Sequence, residues 1–225
     1  MIVITGANRG LGKAISDRLV KNGKEVIGLT RSKEKLSIER IECDVSNYSS
    51  VKNVAKLIKK KKKNIEAIIN CAGIASMNLA LTTDETTTRK IIETNLIGTI
   101  NCCQLLSPLM IRNKNGCIIN FSTIAVRLAL KGESIYAASK AGVEAFSKVF
   151  AREMADFNIK VNCIAPGPIK TDLINGVSDS QINKIISQQI IPKQFKKSDI
   201  CDLVEILIDE KSSSLSGQVL NVGGV

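Results

Sequence analysis

Tyr136 and Lys140 stand four residues apart in the run Tyr136-Ala137-Ala138-Ser139-Lys140, the spacing that puts two side chains on one face of a helix. An ammonium there can sit beside a phenol. Tyrosine ordinarily titrates near about 10, and a neighbouring cation favours the phenolate, moving the group toward working pH as a general acid for a carbonyl oxygen. The residue counts make the pair hard to replace. The chain has no histidine, no tryptophan and two tyrosines, Tyr48 and Tyr136. Without imidazole there is no Ser-His-Asp or Cys-His nucleophile, no His-bearing zinc site and no imidazole proton shuttle. Proton chemistry falls to Tyr, Lys, Cys or carboxylates, and no metal site is expected.

A second constellation opens the chain. The apolar run Met1 to Thr5 leads into Gly6-Ala7-Asn8-Arg9-Gly10-Leu11-Gly12 and then into a helical pattern from Gly12 to Asn22. Glycines at positions 6, 10 and 12 allow a tight turn, let backbone N–H groups approach a pyrophosphate and bring helix and strand close, while the helix N-terminus adds positive potential. At the end of the next strand-like run stands Arg31, in Leu29-Thr30-Arg31-Ser32. Dinucleotide sites that choose NAD place an acid there, whereas arginine suits a 2′-phosphate. Arg31 with Arg9 would clamp that phosphate by charge-assisted hydrogen bonds, so NADP(H) is expected over NAD(H).

These residues need a scaffold, and the rest of the chain reads as one. Strand-like runs at Met1–Thr5, Glu25–Thr30, Ile38–Cys43, Ala67–Asn70, Cys117–Ser122, Lys160–Ile164 and Val219–Val222 are mostly separated by helix-length segments. They read as continuous apolar runs, which marks a sheet covered on both faces. The expected fold is α/β, a single-domain doubly wound parallel sheet over residues 1–225 with helices on both faces. At 225 residues and 44% hydrophobic, one core needs no staple. Seven cysteines without a CxxC pair suit reduced thiols in a cytoplasmic protein. The sequence starts directly on a strand, and its apolar stretches fall short of a membrane span, so neither targeting segment nor membrane association is expected.

The balance of 32 basic and 21 acidic residues, +11 net, would suit an acidic partner. Much of it sits in Lys59 to Lys63, at the end of a helical pattern from Val51 to Ile58, where lysines complement the helix dipole and stay solvated. With aromatics at 3% there is little to stack on bases, and no nucleic-acid partner is expected.

Taken together, the glycine turn in the spacing TGxxxGxG, Asn70-Cys71-Ala72-Gly73, Asn95, the YxxxK of Tyr136 and Lys140, and Pro166-Gly167-Pro168-Ile169-Lys170-Thr171-Asp172 resemble the short-chain dehydrogenase/reductase family over essentially the whole chain. The resemblance implies a Rossmann fold. It also implies that Asp44 and Val45 cap an adenine ring, and that Asn70, Ala72 and Gly73 belong to the segment after the fourth strand. Cys71 departs from the family's Asn there. Lys140 would hold the ribose hydroxyls of the nicotinamide, and Asn95 would support a water chain to that lysine or, alternatively, serve as a buried structural amide on main chain. A backbone amide near Ile169, with Pro166, Gly167 and the Thr171 hydroxyl, would hold the carboxamide and pyrophosphate. The family's carbonyl-polarising serine maps to Thr123 by spacing and to Ser122 by chemistry, and both stay open. Residues 173–197 correspond to the family's substrate lid, with Gly176 as a possible hinge.

Several stretches are similar to the bacterial 3-oxoacyl-(acyl-carrier-protein) reductases, among them Ile91 to Leu96 and Ser216 to Gly224. That implies NADPH-dependent reduction of a 3-oxoacyl thioester in fatty acid synthesis by a homotetramer or homodimer. Arg127, Lys131 and Lys193 to Lys197 are candidate docking charges for the acidic carrier. The alternatives are reduction or oxidation of another small ketone, sugar or polyketide-type substrate, and a non-catalytic NADP(H)-binding sensor or scaffold.

Overall fold

The computed structural model describes all 225 residues, Met1 to Val225. Seven strands form one sheet: β1 (Ile2–Thr5), β2 (Val26–Thr30), β3 (Glu39–Glu42), β4 (Ala67–Asn70), β5 (Gly116–Phe121), β6 (Ile159–Ala165) and β7 (Val219–Asn221). Their order is β3-β2-β1-β4-β5-β6-β7, and every pairing is parallel. The order reverses between β1 and β4, which is where a doubly wound sheet opens a crevice at the carboxyl ends of its strands. The expected fold class is the observed one.

Alternation along each strand explains the two covered faces. Val3, Ile68 and Ile118 enter one core with α2 (Tyr48–Lys60), α4 (Gly98–Leu106) and α7 (Ser134–Ala155). Their neighbours Ile2, Ile4, Ile69 and Ile119 enter the other, with α1 (Gly10–Lys21) and α9 (Lys197–Ile208). Strand β3 departs from the apolar pattern: Glu39-Arg40-Ile41-Glu42 lies at the sheet edge with both glutamates exposed, charges that discourage edge-to-edge pairing. The lysine run has partners there and beyond. Lys61 pairs with Glu39 at 2.7 Å and Lys63 with Glu25 at 2.6 Å.

The remaining helices are α3 (Glu85–Ile92), the short α5 (Pro108–Ile111) and α6 (Ala125–Leu128), and α8 (Asp179–Ile186). A single π-helical turn, Glu93–Ile97, joins α3 to α4 and carries Asn95. No helix is long and apolar enough to cross a membrane.

Candidate active site

The glycine turn is built as backbone. Gly6 and Gly10 have φ of +67° and +58°, which a side chain disfavours. A Cβ on Gly12 would meet the Gly6 carbonyl oxygen at 2.3 Å, so helix and turn touch there. At Gly10 the nearest atom to such a Cβ would be Thr171 at 3.9 Å, leaving the first turn of α1 open above Gly10. That turn carries no acid. An open helix N-terminus of this kind fits the diphosphate of a dinucleotide.

The loops around it are tied together. The Thr5 hydroxyl accepts from the Ala72 amide at 2.9 Å, and the Thr30 hydroxyl donates to Asn8 Oδ1 at 2.9 Å. Asp44 is fixed by Ser46, whose amide and hydroxyl reach Oδ1 at 3.0 and 2.7 Å. Arg31 stays largely exposed, its guanidinium 3.8 Å from Asp44. That pair is weak in water and leaves the donors available.

All of this borders one cavity of ≈ 580 Å³. Gly6, Asn8, Arg9, Gly10, Leu11, Gly12, Arg31, Asp44, Val45, Ala72 and Gly73 line its nucleotide end. Ser122, Thr123, Tyr136 and Lys140 line its middle, with Pro166, Gly167, Ile169 and Thr171 on the facing wall. Two expected residues do not line it. Asn70 pairs in register with Asn120 on the adjacent strand, and its amide donates to Asn120 Oδ1 at 2.8 Å inside the core. Its side chain is thus a link between β4 and β5, behind the cavity wall. Asn95 is fully buried: its amide donates to the Ile74 carbonyl at 2.9 Å and to Ser139 at 3.0 Å, while its Oδ1 accepts from the Ile74 amide at 2.9 Å. It clamps the Ile74 main chain, which borders the cavity, to the first turns of α7. Of the two roles open for it, the structural one is what its side-chain contacts display.

Around Tyr136 the electrostatics differ from the expectation. Lys140 Nζ lies 6.0 Å from the Tyr136 ring centre and donates to the Phe121 carbonyl at 2.8 Å. A buried ammonium takes the nearest acceptor, and burial pulls its pKa down to about 8. The phenol is pushed up from its ordinary value, first by burial and then by Glu133, with the Thr123 hydroxyl acting the other way. Tyr136 is therefore held as the neutral phenol. Ser122 is committed elsewhere, donating to Glu144 at 2.7 Å, while Arg127 reaches the other Glu144 oxygen at 3.2 Å.

The sequence reading missed Glu133, Thr94, Ile74 and Leu130, all on the cavity wall. For Glu133 a signal existed, since it precedes Tyr136 by one helical turn; the others carried none. Leu173, Ile174, Val177, Ile182 and Ile185, from the segment expected to form a lid, supply an apolar wall.

Comparison with known proteins matches these features. The sequence model of the short chain dehydrogenase family covers residues 1–182. The chain belongs to the short chain dehydrogenase family. It is an NAD(P)-dependent oxidoreductase of that family. Among curated relatives, the 3-oxoacyl-[acyl-carrier-protein] reductase of Staphylococcus epidermidis is 32% identical over 235 residues, spanning 99% of this chain and 96% of that protein. That of Buchnera aphidicola is 32% identical over 232 residues, spanning 98% and 94%. Among solved structures, the ligand-free aldohexose dehydrogenase of Thermoplasma acidophilum superposes with a TM-score of 0.89 at 30% identity, covering 99% of this chain and 92% of that one. The structure of ElxO with NADP bound does so with 0.89 at 29%, covering 98% and 96%. The family match thus includes nearly all the residues that line the cavity, from the glycine turn to the apolar wall.

Proposed function

We propose that this protein is an NADPH-dependent carbonyl reductase whose substrate is a 3-oxoacyl thioester, converted to the 3-hydroxyacyl form on an acyl carrier protein in cytoplasmic fatty acid synthesis. The carrying observation is the meeting of a neutral phenol, a hydroxyl and a buried ammonium midway between the glycine cradle and the apolar wall. The 32% identity to carrier-protein reductases supports the thioester reading.

The glycine turn with Asn8 and Leu11 would hold the diphosphate, Asp44 and Val45 the adenine, and Ala72 and Gly73 the adjoining ribose. Arg9 and Arg31 would hold the 2′-phosphate. Pro166, Gly167, Ile169 and Thr171 would hold the carboxamide. When bound, NADPH supplies the reducing equivalent to the carbonyl carbon. Tyr136, held as the neutral phenol, gives its proton to the developing alkoxide. Thr123 donates a hydrogen bond to the same oxygen, a role that Ser122, bound to Glu144, is less free to take. Lys140 orients the ribose hydroxyls and adds positive charge. Asn95 is a positioning residue for the Ile74 turn and α7. Segment 173–197, which puts Leu173, Val177, Ile182 and Ile185 on the cavity, closes on the acyl chain as a lid.

Lys131, Lys193, Lys196 and Lys197 are exposed and would meet the acidic carrier, whereas Arg127 is partly spent on Glu144. Assembly as a homotetramer or homodimer belongs to the same reading. The test is NADPH oxidation with an acetoacetyl thioester, against a panel of simple ketones, and NADP+ reduction with an aldohexose. The thioester should dominate, and Tyr136→Phe should lower its rate about a thousandfold. Equal rates for the two proteins would overturn the mechanism; preference for the aldohexose would overturn the substrate.

A further inference from the structure

We infer that Glu133 selects the substrate: its carboxylate accepts a hydrogen bond from an N–H or O–H donor on an otherwise apolar molecule and turns away substrates that are themselves anionic. The inference rests on reading the cavity as the carbonyl-reducing site, and it adds which chemical group beside the carbonyl is recognised. For a carrier-bound thioester that group is the amide N–H of the carrier arm, two carbons beyond the sulfur.

Helix α7 carries a built-in contrast. Glu144 and Glu133, within it and just before it, are 5% and 6% exposed. The carboxylate of Glu144 is fully engaged, by Ser122 at 2.7 Å and Arg127 at 3.2 Å. Glu133 occupies the cap position of α7 without capping it, and no side chain or backbone group bonds its carboxylate. Its main chain alone serves the fold, the carbonyl accepting from the Ala137 amide at 2.6 Å and the amide donating to Leu130 at 3.2 Å. Burying an acid without a partner costs stability, and burial raises its pKa with nothing opposing. Its oxygens are nevertheless not sealed from solvent, so a partner can reach them from the cavity, which Glu133 lines.

Position supports this. Glu133 stands three residues before Tyr136, borders the same cavity, and is close enough that its charge raises the phenol's pKa. Leu130, Ile124, Val177 and Ile185 give the same cavity an apolar lining. The other acids bordering the cavity, Asp44 and Asp172, lie respectively beyond β3 and on the segment that follows Thr171. A substrate held with its carbonyl at Tyr136 therefore meets one strong acceptor amid hydrocarbon, within reach of a donor a few bonds from the reacting carbon.

The experiment compares kcat/KM for the N-acetylcysteamine thioester of acetoacetate, which has the N–H, with that for ethyl acetoacetate, which lacks it. The wild type should favour the thioester by about ten- to a hundredfold, the range of a hydrogen bond to a charged group. In Glu133→Leu the ratio should fall to that of the two compounds' intrinsic reactivities, measured with borohydride. Glu133→Gln, which keeps a carbonyl acceptor, should retain part of it. Free acetoacetate should become a better substrate in both variants. Calorimetric binding of the 3-hydroxybutyryl thioester should weaken in Glu133→Leu, while its Tm stays level or rises. An unchanged ratio in Glu133→Leu, or a fall in its Tm, would overturn the inference. If the wild type reduced neither acetoacetyl compound, the thioester reading would fail by itself. The ratio for hydroxyacetone against acetone would then decide Glu133, a collapse in Glu133→Leu upholding it and an unchanged ratio rejecting it.

Discussion

The two ends of the cavity are made of different material. The nucleotide end is backbone: Gly6 and Gly10 at positive φ, the bare N-terminus of α1, and Gly12 pressed against the Gly6 carbonyl. The substrate end is side chain: apolar residues of segment 172–186 and of α6 with its following turn, and the buried, unpartnered acid Glu133. A backbone site tolerates no Cβ and so has a rigid spelling. A side-chain site accepts many residues of similar volume, which is why one family can keep the first end and vary the second.

The sharpest way to break that contrast is at Gly12. Adding a Cβ only 2.3 Å from backbone oxygen forces turn and helix apart, and overpacking of this kind costs about 1–3 kcal/mol. Gly12→Ala should lose NADPH affinity by roughly a hundredfold, since each ångström of displacement breaks amide contacts to the diphosphate. Fluorescence titration of NADPH reads it. Affinity within threefold of wild type would mean that the turn is not a rigid backbone site.

Between the two ends, Ser122 and Thr123 offer adjacent hydroxyls with opposite commitments. Ser122→Ala leaves the buried Glu144 short of a donor, which should cost about 1–3 kcal/mol of stability and change kcat by less than about threefold. Thr123→Ala should lower kcat about a hundredfold, as loss of one carbonyl-polarising donor does, at a smaller cost in stability, that of the one bond its hydroxyl accepts from the Ala125 amide at 3.2 Å. An exchange of these two outcomes would assign the carbonyl to Ser122.

At the outer rim of the nucleotide end, rigidity gives way to charge. Arg31 is largely exposed and meets only Asp44, at 3.8 Å. Arg31→Ala should weaken NADPH by about tenfold, one charge-assisted hydrogen bond partly screened by water, and leave NADH unchanged. Equal losses for both cofactors would mean that Arg31 shapes the loop and does not read the 2′-phosphate.

The contrast also explains what could be read without coordinates. The strands, the sheet class and the glycine turn were legible, because each rests on a local rule: alternation, apolar runs, or a backbone that only glycine allows. Asn70 was half legible: its motif gives proximity to the cavity, whereas the face its side chain takes depends on register with Asn120 across the sheet. Lys140 was legible in its face but not in its partner. Spacing puts it on the face of Tyr136, but the Phe121 carbonyl that captures its ammonium comes from β5, far away in sequence. Glu133 was overlooked for a third reason, although it stands one turn before Tyr136. An acid before a helix reads as a cap favoured by the dipole, and only the fold reveals that it caps nothing.

The smallest effect expected is at the substrate end, and it tests whether that wall senses chain length. Ile182 and Ile185 lie half-buried on α8 and border the cavity. Truncating one removes apolar contact that only a long acyl chain would reach, at about 0.8 kcal/mol for each methylene that loses its cover. Ile185→Ala should therefore raise KM by about three- to tenfold for a 3-oxooctanoyl thioester, leave kcat alone, and leave both constants unchanged for the acetoacetyl thioester. The capping box of Ser178 and Gln181 keeps α8 folded in the variant, so far-ultraviolet circular dichroism should not change. A fall in kcat for short and long substrates alike would mean that this segment acts on the chemistry by closing over the site. The two ends of the cavity would then differ less than their materials suggest, both of them serving to place the reacting carbon at Tyr136.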